Sequence, residues 1–229
     1  MIKKEINLEK PGKTARKILA AARSVFAENG YNGAHVDEIA ERAGVNKATL
    51  YYQIGDKDTL YAKVIHQVMG NAAQGIAQAV AKVDHPEEKL KVYINCIAAN
   101  VDKNPELPPI MMREMAAEGA NLPRVVVEDI ASVMMILAGI LDEGKKIGIF
   151  VEVTPFLIHM MIVGTILFNK KALPIKDRQS WLPAAIKAQD KKLKGSLGEE
   201  VAKLVLKAIK RRRIRTKYCG LKCKRRFER

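Results

Sequence analysis

The stretch VDEIAERAGVNKATLYYQIGDKDTL, residues 36–60, constrains this chain more than any other. It reads as two short helices joined by a tight turn, with a third helix following at once. Ile39 and Ala40 supply the apolar side of the first helix. Ala43-Gly44-Val45 forms the turn, where Gly44 suits a positive φ. Asn46 can cap the second helix by accepting the N–H of residue 48 or 49, and Leu50 can pack back on Val45 and Ala40. That leaves Lys47, Thr49, Tyr51, Tyr52 and Gln53 on the outer side of a helix of seven residues. Lys and Tyr can hold phosphates, while Gln and Thr can reach base edges, so this helix suits a duplex groove. Gly55-Asp56 makes the next turn, and Asp56 can cap the helix that begins near Lys57.

The flanks fit this unit. Residues 1–13 are polar, contain Pro11-Gly12 and read as an arm whose Lys3, Lys4, Lys10 and Lys13 can add weak phosphate contacts. Thr14 to Asn29 reads as a helix with Ile18, Leu19, Ala22, Val25 and Phe26 on one stripe, ended by Gly30. From Lys57 to about Val83 one long helix runs without proline, and it must join two domains. Further helices follow from Pro86, from about Ile110, from Asn121-Leu122-Pro123 to about Lys146, from Thr154-Pro155 to about Lys171, and from a cap at Ser196. The segment 156–168 is apolar nearly all round, which implies burial on more than one side. Trp181 is the one large anchor expected in 172–195. No strand-like alternation and no repeat is visible. The expected fold is all-α: a three-helix helix-turn-helix domain over residues 1–56, then a helical effector and dimerisation domain over 57–211. Residues 212–229 form a basic tail, read as disordered.

The pattern Ile39-Ala40, Ala43-Gly44-Val45, Thr49-Leu50-Tyr51-Tyr52, Gly55-x-Lys57-x-x-Leu60 resembles the DNA-binding segment of the TetR family of bacterial transcriptional repressors. The resemblance covers about residues 14–64. It implies a palindromic operator bound by a homodimer, and a DNA-contacting set of His35, Asn46, Lys47, Thr49, Tyr51, Tyr52, Gln53 and Lys57. Two positions depart from the family. His35 stands where a Thr or Ser cap is usual, and Gln53-Ile54 replaces a common His-Phe beside the base-reading surface. Later segments are similar only in pattern to one branch of the family's ligand domain: Arg113-Glu114-Met115 through Leu122-Pro123, Glu143-Gly144-Lys145 and Gly148-Ile149-Phe150. This assigns dimerisation to the helices at 154–171 and 196–210, paired with their two-fold mates as a four-helix bundle.

Composition bounds the remainder. Of 229 residues, 48% are hydrophobic but only 5% aromatic, so the core is aliphatic. Seven of nine methionines lie between Met111 and Met161. Such side chains suit either an apolar pocket or plain core filling. The candidate effector-pocket residues are His66, Met69, Cys96, Asn100, Met112, Met115, Met134 and His159, and the expected effector is small and apolar or amphipathic. Four scattered histidines and three cysteines offer no metal set, no nucleophile motif and no cofactor site. Cys219-x-x-x-Cys223 is at most half a zinc site. The odd cysteine count fits a cytoplasmic setting, and the longest apolar run, thirteen residues with His159 inside it, is short for a membrane span, so no membrane partner is expected.

Net charge is +15, of which residues 201–229 carry +12, with Glu228 as the single acid. That tail can be a solvated extension, a non-specific nucleic-acid binder, or a segment foreign to the fold. The second option defines a rival function: a constitutive, weakly specific DNA-binding protein driven by its tail. A third is a small-molecule sensor acting on a protein partner.

Overall fold

The computed structural model describes residues 11–183 and 197–211. The expected cap Ser196, Lys3, Lys4, Lys10, the tail 212–229 and its cysteines Cys219 and Cys223 lie outside the described residues. Helix α1, Lys13–Gly33, buries Ala15, Ile18, Leu19, Ala22, Val25 and Phe26 on one stripe. Gly30 breaks it at φ 70°, a conformation that costs an L side chain but not glycine. A Cβ there would also lie 2.9 Å from Cδ of Arg113, so the same glycine lets a side chain from the body cross this helix end. A further helical turn follows the break, where the sequence suggested a plain connection.

α2, Val36–Ala43, ends at Gly44, which is left-handed as the turn required (φ 66°). α3, Lys47–Gln53, starts from Asn46, whose side chain accepts the Thr49 N–H at 2.7 Å. α4, Lys57–Val80, starts from Asp56, whose carboxylate accepts the Thr59 N–H at 2.9 Å. Then come α5 (Pro86–Lys103), α6 (Leu107–Ala116), α7 (Arg124–Lys146), α8 (Pro155–Asp177) and α9 (Leu197–Ile209). Pro108 and Pro109 lie inside the first turn of α6 rather than before it, which their missing N–H groups permit. α8 runs on past Lys171 through Pro174.

Two cores meet within α4. The first is built from α1, α2, α3 and the α4 residues Leu60, Tyr61, Val64 and Ile65, with Ile110 from α6 and Val126 from α7. The second takes Ile76 and Val80 of α4 together with the inner faces of α5, α7, α8 and α9. Each fully buried Leu or Ile stabilises by about 1.5–3 kcal/mol relative to exposure, so neither end of α4 is free to leave its core. The last described helix is held differently. Val151 N–H donates to Ile209 and Arg211 N–H to Ile149, both at 2.8 Å, a single antiparallel bridge locking α9 to the loop before α8.

Two expectations fail. Trp181 is no anchor: it is 75% exposed and its indole N–H reaches only Gln179. Nor is α8 buried on more than one side. Ile158, His159, Ile162, Ile166 and Leu167 face the core, while Phe156, Leu157, Met161 and Phe168 are exposed. An all-round apolar sequence shows that every face wants cover without showing that one chain supplies it. The segment Pro155–Ile175 is also long and apolar enough to cross a membrane by length and composition, more than the shorter run read from the sequence suggested.

Candidate nucleic-acid interface and effector site

The outer face of α3 is built as the sequence implied. Leu50 is fully buried, which fixes the roll of the helix. Tyr52, at 88% exposed, Tyr51 and Gln53 therefore point away from the core. Thr49 is half-buried and its backbone is held by the Asn46 cap, so Asn46 orients the helix as well as standing exposed beside it. Lys47 is exposed and pairs with Asp37 of α2 at 2.9 Å. The Asp37 hydrogen bond raises the lysine pKa, so the ammonium stays charged. A solvated pair of this kind contributes little and can be exchanged for a phosphate. His35 is the N-cap residue of α2 but makes no side-chain cap bond, so its imidazole takes no part in holding that helix end.

Lys57 sits over the Tyr31 ring, 4.6 Å from its centroid, a cation–π contact. Burial, with the hydrogen bond to Asp58, pushes the Tyr31 hydroxyl up to about 12, so it remains a neutral donor. Arg42 pairs with Glu28 and Glu38, both at 2.7 Å, which ties α2 to α1.

Beneath this unit, α6 grips it by two charged side chains that sequence reading missed. Arg113 donates to the carbonyls of Ala27 and Glu28 at the break of α1. The Glu114 carboxylate is buried and accepts the Tyr61 hydroxyl of α4 at 2.6 Å and the Asn121 N–H at 3.3 Å. Burial first, and then Glu114, raise the Tyr61 pKa, so that phenol stays protonated and donating. The sequence signal was there as an adjacent Arg-Glu pair on an apolar helix, but nothing local said which carbonyls it would meet.

The eight candidate pocket residues do not converge on one cavity. A cleft of about 680 Å³ opens between α1, the end of α3, α4 and α7, and only His66 of the eight lines it. His66 Nδ1 meets Asp129 of α7 at 2.7 Å. Burial raises the Asp129 pKa, and the imidazole opposes that rise. Met69 is half-buried against the first core, and Cys96 against the second, where burial raises its thiol pKa. Asn100 closes the end of α5, its side-chain and backbone oxygens accepting from Asn104 at 3.0 and 2.8 Å. Met112 and Met134 are half-buried, but Met115 is 55% exposed and lines no enclosed wall. His159 is buried and its Nδ1 lies 2.9 Å from the Tyr93 hydroxyl. Desolvation lowers its pKa and favours the neutral ring, which shares one hydrogen bond with the phenol. It is a satisfied core histidine. The miss has one cause: helical spacing assigns residues to an inner face, but not to one point along it.

Residues 18–64 match the model of bacterial regulatory proteins of the tetR family, and residues 65–172 match the model of the YsiA-like protein C-terminal region. This chain belongs to the TetR family. It is a ligand-responsive, DNA-binding transcriptional regulator, and the family does regulation rather than catalysis. It is 28% identical over 151 residues to the fatty acid metabolism regulator protein of Bacillus subtilis, covering 66% of this chain and 78% of that one. It is 36% identical over 78 residues to the transcriptional activator FasR of Mycolicibacterium smegmatis, a match that spans 34% of this chain and only 36% of FasR. Among solved structures, FadR of Bacillus subtilis in complex with stearoyl-CoA is similar with a TM-score of 0.65 and 25% identity, covering 83% of this chain and 97% of that one.

Proposed function

We propose that this TetR-family regulator represses by binding a palindromic operator as a cytoplasmic homodimer, and that a long-chain acyl thioester releases it. The observation that carries the effector class is the likeness to the fatty acid regulator, whose similar structure holds stearoyl-CoA. The body suits such a guest. Its helices α4, α6 and α7 carry Met69, Met112 and Met134 half-buried, and flexible methionines repack around an alkyl chain. Tyr93 and His159 put one buried polar pair in that core.

The second protomer is supported by the uncovered faces of α8 and α9, where Phe156, Leu157, Phe168 and Leu204 are exposed. A second copy covers them without taking the buried half of α8 out of its own core, which a lipid bilayer could not do. Outer-face residues Lys47, Thr49, Tyr51, Tyr52 and Gln53, with His35, Asn46 and Lys57 flanking, form the DNA surface. Two such helices must lie roughly 34–36 Å apart to enter successive major grooves. The unit ends at residue 56 as a motif, although its packing continues through Ile65.

The deciding experiment adds stearoyl-CoA to the full-length protein, reading melting temperature and affinity for an operator obtained by selection. A guest bound only by the folded state raises the melting temperature. One that prefers the DNA-incompetent spacing weakens operator binding by about 5–150-fold, the usual span of allosteric coupling. No melting shift, or a shift with unchanged operator affinity, overturns the reading. The tail-driven rival rests on the +12 of residues 201–229. It requires binding that is steep in salt and indifferent to sequence.

A further inference from the structure

The cleft under the reading helix has walls with a chemistry of their own. One face of α4 supplies Lys63, Gln67, Asn71 and Gln74, spaced so that all four look into it. Gln53, the last residue of α3, closes one end, and Asp129 of α7 stands across. Ala15, Leu19 and Ile54 form an apolar floor. The cleft is kept open by a missing side chain: a Cβ on Gly70 would lie 3.0 Å from Cε1 of His66 and 3.4 Å from Oδ1 of Asp129.

The charges are unequal. Asp129 is engaged with His66, while Lys63, half-buried, pairs with no acid among the described residues. The Gln67 amide oxygen already accepts from Arg23 at 3.2 Å, which leaves its NH2 group to donate; Gln53, Asn71 and Gln74 can both donate and accept, which matches hydroxyl groups. A single cation beside them matches one anionic group, and the aliphatic floor matches a C–H face. Lys63 and Gln67 are half-buried in the concavity facing α1 and α3, and Asn71 and Gln74 stand exposed at its rim; the space is large enough for a metabolite.

We infer that this junction cleft binds a small polyhydroxylated anion, with Lys63 on the anionic group and Gln53, Gln67, Asn71 and Gln74 on the hydroxyls. The occupant touches the end of α3, the middle of α4 and α7 at once. It therefore senses the angle between reading helix and body directly, by a route separate from any guest in the body core.

The test titrates glucose 6-phosphate, gluconate and glucose separately into the full-length protein, following the His66 imidazole proton by NMR and the heat by calorimetry. Saturable binding of glucose 6-phosphate alone identifies a phosphate ester, of gluconate alone a carboxylate, and of both a site that reads charge and hydroxyls. In each case Lys63→Ala should weaken binding about tenfold, the size of one lost charge-assisted contact. Asn71→Ala, at an exposed position, should weaken it less and leave the melting temperature unchanged. The inference falls if neither anion shifts His66 up to about 10 mM, if glucose binds as well as the anions, or if Lys63→Ala binds as tightly as wild type, which would put the anion on the basic tail.

Discussion

Tyr52 is the most exposed of the large apolar side chains among the described residues, while two positions earlier Leu50 is sealed. Truncating Tyr52 should therefore separate binding from folding. Tyr52→Ala should weaken operator affinity by about 1–3 kcal/mol and move the melting temperature very little, as surface changes do. Gel-shift titration and a melting curve check both halves; gross unfolding would show that the outer face is assigned wrongly. His159 has the opposite setting. Its pKa is depressed by burial below the ordinary value of 6.5, so the unfolded chain takes up a proton first as pH falls. Stability from the neutral imidazole is complete above about pH 6.5 and declines as pH falls through the folded-state pKa. His159→Gln should flatten the fall in melting temperature between pH 7.5 and the acid side of that window. An unchanged slope would assign the acid sensitivity to other groups.

Among elements, α6 is the short one with the largest consequences. Arg113 satisfies two carbonyls at the break of α1, and Glu114 anchors Tyr61 of α4. A shift of α6 is therefore felt at both ends of the reading unit. Arg113→Ala leaves the Ala27 and Glu28 carbonyls to water and removes the side chain that Gly30 makes room for. Faster amide hydrogen exchange is expected over residues 27–34, with α9 unaffected, because local opening follows local contacts. Equal acceleration in both places would mean that the substitution loosens the whole fold instead of this joint. The outer stripe of α8 and α9 makes a second prediction. Phe168→Asp with Leu204→Asp should give the monomer mass by light scattering at micromolar concentration, where the wild type gives twice that, since buried charges oppose a dimer seam. A wild-type monomer would remove the dimer and the two-fold operator with it.

In the whole molecule, α4 belongs to both cores. A long helix anchored in two packed interiors cannot bend gradually, because cores switch between arrangements more readily than they deform. With the proposed guest in the body and operator at α3, both would act on one shared equilibrium. Whatever factor an acyl thioester takes from operator affinity, the operator must take from acyl thioester affinity. Measuring effector binding with and without operator tests that reciprocity directly.

Residues 36–60 were legible because the signals that shape their elements are local. The Asn46 and Asp56 caps and the left-handed Gly44 act within a few residues, so spacing alone conveyed them, and Leu50 then seals against the core shared with α1 and α4. The all-α class was legible for the same reason: helical periodicity is a short-range property. Tertiary structure decided what depends on distant chain meeting distant chain. It placed Arg113 on α1 and Glu114 on Tyr61, engaged His159 with Tyr93, and left Trp181 and Met115 in solvent. It also opened a cleft at the junction, among amides on α4 that the sequence alone presents as an ordinary polar face. Periodicity tells a side chain which way to face, but only packing determines what it meets there.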